Sequence, residues 1–126
     1  MIVGFPGESD AMFIETMAYI NTITFSYLHI FRYSSRKGTP AAAMEHPVSE
    51  NRKKERASLL NDTDHLLREK YAARFFGTQQ PVLWERFEDG ILYGHTPHYL
   101  PLRIPGQAKR QNTISKIVLK KDDIIL

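Results

Sequence analysis

The stretch Ile2-Val-Gly-Phe-Pro-Gly-Glu-Ser9 constrains the fold of this chain more than any other. Proline withdraws a backbone donor and glycine admits conformations closed to other residues, so Gly4, Pro6 and Gly7 end the short apolar strand of Ile2, Val3 and Phe5. Ser9 then predicts a helix N-cap. Phe13, Met17 and Ile20 recur at i, i+4 and i+7, a single apolar stripe that closes near Asn21 and Thr22. The run from Phe25 to Tyr33, rich in aromatic and branched residues, predicts a second strand. Strand, helix and strand make one βαβ unit. Parallel sheets are normally covered on both faces, and two strands with one helix leave a face and two edges bare, so this unit calls for neighbours of its own.

Beyond Tyr33 the chain changes rhythm. Residues 34–47 form a linker with Arg36-Lys-Gly-Thr-Pro40, the small-residue tract Ala41-Ala-Ala43 and His46-Pro47. Ser49 predicts the cap of a long helix reaching about Phe75. Ala57, Leu60, Leu67, Tyr71 and Phe75 share one side of it, and Lys53, Lys54, Glu55, Arg68 and Glu69 read as a solvated face. From Gly77 onward the pattern is short strands and turns. Strands are predicted at Pro81–Phe87, Ile91–Thr96, Tyr99–Ile104, Thr113–Leu119 and Ile124–Leu126, with Glu88-Asp-Gly90 as a hairpin turn. Five short strands in one small segment suggest a barrel, since closure removes edges that so small a sheet cannot otherwise protect.

Composition bounds the function. The 126 residues, 42% hydrophobic and 25% charged, suit one compact domain or two small ones. No run approaches the roughly 18 apolar residues of a membrane span, and the first residues lack a signal peptide's basic flank and cleavage site, which predicts a cytoplasmic protein with no membrane partner. The chain has no cysteine, which excludes disulfides, thiolate nucleophiles and Cys-ligated zinc or iron–sulfur clusters. A net charge of +3 leans toward a polyanionic partner, although so mild a basic excess more often reflects simple solubility.

Two regions carry candidate chemistry. In the first, Gly4 and Gly7 let backbone approach a flat ligand, and Glu8 can accept a hydrogen bond; the same residues also read as a tight βα turn with a carboxylate at a helix N-terminus. His29, Phe31 and Tyr33 alternate on one strand face, so His29 is either a ligand contact or a core histidine. In the second, Tyr93, His95, His98 and Tyr99 interleave with Arg103, Lys109, Arg110, Lys116, Lys120 and Lys121. Aromatic faces for bases and cations for phosphates are how small barrels hold RNA. Trp84, the only tryptophan, reads as core. His95 and His98 lack a third ligand at metal-binding spacing.

Taken in order, IVGFPGES, YLHIFRYSSRKGTPAA and GHTPHYLPLRI resemble the C-terminal part of the radical S-adenosylmethionine methylthiotransferases with a TRAM domain. Gly94 to Ile104 is most like the branch acting on tRNA N6-threonylcarbamoyladenosine. The resemblance implies a mixed fold: residues 1–48 as a piece of a TIM-type radical barrel, 49–75 as a linking helix, and 76–126 as a five-stranded, OB-like TRAM β-barrel that binds RNA. It implies S-adenosylmethionine at Gly4, Phe5, Gly7, Glu8 and His29. Contacts to tRNA are expected from His98, Tyr99, Arg103, Lys109, Arg110 and Lys116. It further implies two 4Fe-4S clusters held by an N-terminal portion of the same enzyme, a partner to this chain, which has no cysteine to hold either and is expected to be inactive alone. Alternatives are a methylthiotransferase for isopentenyladenosine or a ribosomal protein, and a free-standing RNA-binding module.

Overall fold

The computed structural model describes every residue from Met1 to Leu126. It divides into two compact units, Met1–Arg68 and Glu69–Leu126.

In the first unit, β1 (Ile2–Val3) and β2 (Phe31–Arg32) pair in parallel, with α1 (Asp10–Thr22) between them in sequence. Ser9 caps α1 as its sequence predicts, its side chain accepting from the Met12 amide at 3.2 Å. The second strand is far shorter than predicted, because its first half spends its donors elsewhere. The Phe25 amide turns back to the Ile23 carbonyl at 3.0 Å, and the Leu28 amide donates to the Asp64 carboxylate. Only Phe31 and Tyr33 donate across to β1, onto the carbonyls of Met1 and Val3.

The long helix α2 spans Glu50–Ala73, with Ser49 accepting from the Arg52 amide at 3.3 Å. Its Leu60 and Leu67 bury with Val3, Phe13, Ile20 and Leu28 as the core of the first unit, with Met17, Phe25, Ile30 and Ala57 around them. Lys53 corrects the reading of a wholly solvated charged face, for it is buried in this unit.

The second unit is a four-stranded antiparallel sheet of β3 (Gln79–Glu88), β4 (Ile91–His95), β5 (Pro101–Pro105) and β6 (Thr113–Val118), in the order β5-β4-β3-β6. Asp89 and Gly90 both take positive φ, 49° and 81°, the geometry of a tight hairpin turn matched to strand twist. One face of the sheet is core: Val82, Trp84, Leu92 and Leu102 bury with Leu100, Leu119, Ile124 and Ala72. Gly94 stands opposite Trp84, and this pairing demands glycine, since a Cβ there would lie 2.2 Å from the Leu83 carbonyl oxygen.

The expected five-stranded closed barrel is not what forms. Lys121–Asp123 coils into a 3-10 turn, and Ile124–Leu126 after it forms no strand. Ile124 makes a single bridge to Leu102, and the Ile125 amide donates to the Pro101 carbonyl at 2.9 Å. The C-terminal residues thus touch β5, at the sheet edge opposite β6, without completing a ladder.

Candidate functional sites

The Gly4–Glu8 turn sits at the C-terminal ends of β1 and β2, and it is held from beneath by α2. Glu8 Oε2 accepts from the Gly4 amide and, at 2.6 Å, from the Arg56 guanidinium. Arg56 also donates to the Glu8 carbonyl at 3.1 Å and to Asp10 at 2.8 Å, and Asp10 takes a further 2.6 Å bond from Arg52. Burial works against the Arg56 charge, but its hydrogen bonds to Asp10 and Glu8 outweigh that and raise its pKa. The Arg56 hydrogen bond, with the charges of both arginines, holds the Asp10 carboxyl below its ordinary range.

Gly4 has φ +74°, and a Cβ on it would collide with the Lys53 stem at 2.3 Å. The Lys53 ammonium bonds Glu50 at 2.8 Å and lies 5.4 Å from the centre of the Tyr33 ring. That hydrogen bond and the Lys53 charge lower the Glu50 pKa. Gly4 and Glu8 are therefore committed within the protein, to Lys53 and Arg56. The Phe5 ring and one side of Gly7 stay open, while the Gly7 amide donates to the His46 carbonyl at 2.9 Å. No atom lies within 4 Å of where a Gly7 Cβ would be, and Gly7 lines a 450 Å³ cavity with Asp10, His46, Ser49, Arg52 and Arg56. Phe5 is 42% exposed, its ring edge-on to Tyr33 at 5.3 Å. His29 stands apart from this turn, at the other end of the strand pair, where its carbonyl accepts from the Met1 amino group. It is exposed, its ring against Tyr27, so it is not a core histidine.

In the second unit the outward face of the sheet is the candidate interface. Register places Pro81, Leu83, Ile114 and Lys116 together on it, Leu83 opposite Ile114 and Pro81 opposite Lys116. On the other flank Leu83 faces His95, and beyond a bulge Arg86 faces Tyr93, which faces Arg103. Leu83 and Ile114 are 42% and 70% exposed, an apolar surface with no cover of its own. Beside them Tyr99 is 78% exposed with φ +59°, a conformation that costs a bulky side chain energy and persists only where the surroundings enforce it. Thr96 enforces it. Its buried hydroxyl accepts from the His98 and Leu100 amides at 3.3 and 3.2 Å, and the Tyr99 amide closes onto the Thr96 carbonyl at 3.0 Å. The groove so formed has a volume of 470 Å³ and is lined by Pro81, Leu83, His95, Pro97, Tyr99 and Ile114, with Glu85 bonded to His95 at 2.6 Å.

The six residues expected at this interface divide accordingly. Lys116 and Arg103 lie exposed on the outward face, with Tyr99 at the groove. His98 is in the same turn but rests one ring face on Phe75, 4.7 Å away. Lys109 is exposed in the 3-10 turn Ala108–Arg110, whereas Arg110 is half-buried, donating to Ser115 at 2.7 Å with its guanidinium 5.6 Å from the Trp84 ring. Sequence reasoning passed over Arg86, whose guanidinium lies 4.0 Å from the Tyr93 ring centre, and Leu83 and Ile114. The signal was available in the alternation of β3 and β6, where Pro81 and Leu83 on one strand and Ile114, Lys116 and Val118 on the other take alternate, outward positions.

No group of histidine, aspartate and glutamate side chains is arranged to hold a metal ion, and no helix is long and apolar enough to cross a membrane.

No family model matches the chain. Individual relatives do. A threonylcarbamoyladenosine tRNA methylthiotransferase of Thermotoga maritima is 42% identical over 101 residues, 79% of this chain and 23% of that protein. The Bacillus subtilis protein of the same name is 37% identical over 126 residues, 96% of this chain and 27% of its own length. A tRNA-2-methylthio-N(6)-dimethylallyladenosine synthase of Hahella chejuensis is 45% identical over 98 residues, 75% of this chain and 22% of that protein. The chain thus spans about a quarter of the length of these relatives.

Proposed function

The chain belongs to the tRNA methylthiotransferase family, and on that premise we propose that it is the part of such an enzyme that holds tRNA and shapes one side of the S-adenosylmethionine site. It corresponds in this reading to the C-terminal portion, with residues 76–126 as a TRAM-like RNA-binding domain. Enzymes of this family are radical S-adenosylmethionine proteins with iron–sulfur clusters. The clusters belong to the remainder of the enzyme, since thiolate ligation needs cysteines that this chain lacks.

The observation that carries the RNA reading is the outward sheet face of the second unit. An exposed tyrosine held in a strained turn, an adjoining apolar groove and flanking Lys116, Arg103 and Arg86 supply a stacking surface with cations beside it. Each base stacked on such a ring contributes roughly 1–3 kcal/mol, and the cations add salt-dependent affinity. Lys109 extends the same charge; Arg110 serves the fold through Ser115 and Trp84. At the first unit, Phe5 and the open side of Gly7 suit the flat ring of S-adenosylmethionine, while Gly4 and Glu8 shape the turn. That cofactor supplies the radical when bound in the intact enzyme.

The nucleoside is N6-threonylcarbamoyladenosine in this reading, on the likeness of Gly94 to Ile104 and the names of two relatives. The 45% identity to a dimethylallyladenosine synthase favours a second reading, the isopentenyl-type base. Titration of the chain with labelled tRNA at two salt concentrations tests the RNA role. Affinity should fall with log salt at a slope of about −0.7 to −0.9 per phosphate contact, and Lys116→Ala or Arg103→Ala should each lower that slope by about one. Tyr99→Ala should weaken binding with little change in slope. Absence of binding at low salt would remove the RNA role from this unit.

A further inference from the structure

The helix α2 reads in sequence as a connector, yet its first turns bury two cations against the one turn that a cofactor would meet. Arg56 is 5% exposed and Lys53 7% exposed. They stand three residues apart and so project from the same side of the helix. We propose that Lys53 and Arg56 are the positioning residues of the Gly4–Glu8 turn, so that the shape of the S-adenosylmethionine site is set from α2 and not by the βα unit alone. This rests on the reading of that turn as a cofactor contact.

The two residues act by different means. Arg56 is a fork: Nη1 reaches both the carbonyl and the carboxylate of Glu8, and Nη2 reaches Asp10. The carboxylate it fixes is the acceptor of the Gly4 amide, so one guanidinium spans both ends of the turn. A lysine is a point charge and cannot serve those acceptors together. Lys53 acts through its stem. The Cγ, Cδ and Cε atoms lie 2.3, 3.0 and 3.2 Å from where a Gly4 Cβ would be, so the hydrocarbon chain fills the space that glycine leaves open. Its ammonium meanwhile bonds Glu50 on its own helix, so the charge is not what holds the turn.

This division of labour makes the test specific. In the 126-residue chain, amide hydrogen exchange at Gly4 reads the turn, and amides of Leu60 and Ile20 read the core of the same unit. Arg56→Gln should speed Gly4 exchange by about tenfold or more, the scale of a lost charged hydrogen bond, while the Leu60 and Ile20 amides hold. Arg56→Lys should restore only part of that. Lys53→Met keeps the stem and should leave Gly4 unchanged, whereas Lys53→Ala should open it. Titration with S-adenosylmethionine, followed at the Gly7 amide, then reads the site: binding should weaken about tenfold in Arg56→Gln and stay level in Lys53→Met. Unchanged Gly4 exchange in Arg56→Gln, or equal loosening by Lys53→Met and Lys53→Ala, would overturn the proposal. If the parent chain shows no response at Gly7 while the exchange pattern holds, the cofactor reading of the turn fails and the positioning of the turn by α2 stands.

Discussion

Gly94→Ala is the sharpest test of how the second unit is built. Alanine suits a strand better than glycine in its backbone preference, by about 0.5–1 kcal/mol, so propensity alone makes this change stabilising. Packing reverses the sign. The new methyl would lie 2.2 Å from the Leu83 carbonyl oxygen, about 1.2 Å short of the 3.4 Å where ordinary contact begins, and 3.0 Å from Trp84 Cε3. Neither neighbour yields easily, for Leu83 sits in one of the two central strands of the sheet, paired on both sides, and Trp84 is fully buried. Overpacking of this kind costs typically about 1–3 kcal/mol, which leaves a net loss of about 1–2 kcal/mol after the propensity gain. For a unit this small each kcal/mol moves the midpoint by about 4–8 °C, so a fall of about 5–15 °C is expected. The assay is built in, because Trp84 is the only tryptophan and its fluorescence reports this unit alone. A midpoint equal to or above that of the parent chain would refute the β3–β4 register on which the outward face depends.

Two further outcomes rest on named contacts. Ser115 accepts from both the Trp84 indole at 2.8 Å and Arg110 at 2.7 Å, so Ser115→Ala should cost about 1–3 kcal/mol in urea unfolding by leaving a buried donor unpaired. In the first unit Asp10 has its pKa lowered from 3.8, chiefly by the Arg56 hydrogen bond, so the stability it adds is complete above that ordinary value and fades as pH falls through the depressed one. Asp10→Asn should flatten that acid limb of first-unit stability, measured by circular dichroism across the acid range, and leave the neutral-to-basic limb unmoved.

Much of the fold was legible because it rests on local signals. Ser9 as a cap, Asp89-Gly90 as a hairpin turn and Trp84 as core all stand as read, since each is decided by a residue's own conformational range or size. What escaped depends on distant partners. The strand expected from Phe25 is cut short by a carboxylate on another helix, Asp64, which takes the Leu28 amide. The barrel stays open because Ile124–Leu126, expected as a fifth strand, makes only a single bridge, from Ile124 to Leu102. Lys53 carries charge and so looked solvated, and Arg56 drew no reading at all; only the placement of α2 against the turn reveals that both are buried. For the candidate interface, aromatic and basic residues drew the sequence reading to this segment, and only a real register adds Leu83, Ile114 and Arg86 to its outward face and turns Arg110 toward Ser115 and Trp84.

The central claim is that tRNA meets the outward face of the β3–β6 sheet. An NMR titration of the labelled chain with an anticodon stem-loop at low salt tests it most directly. The expected result is a contiguous set of shifts at Leu83, Arg86, His95, Tyr99, Ile114 and Lys116, with Val82, Leu92 and Leu102 on the core face unmoved. Shifts confined to Met1–Arg68, or spread evenly over both units, would contradict it.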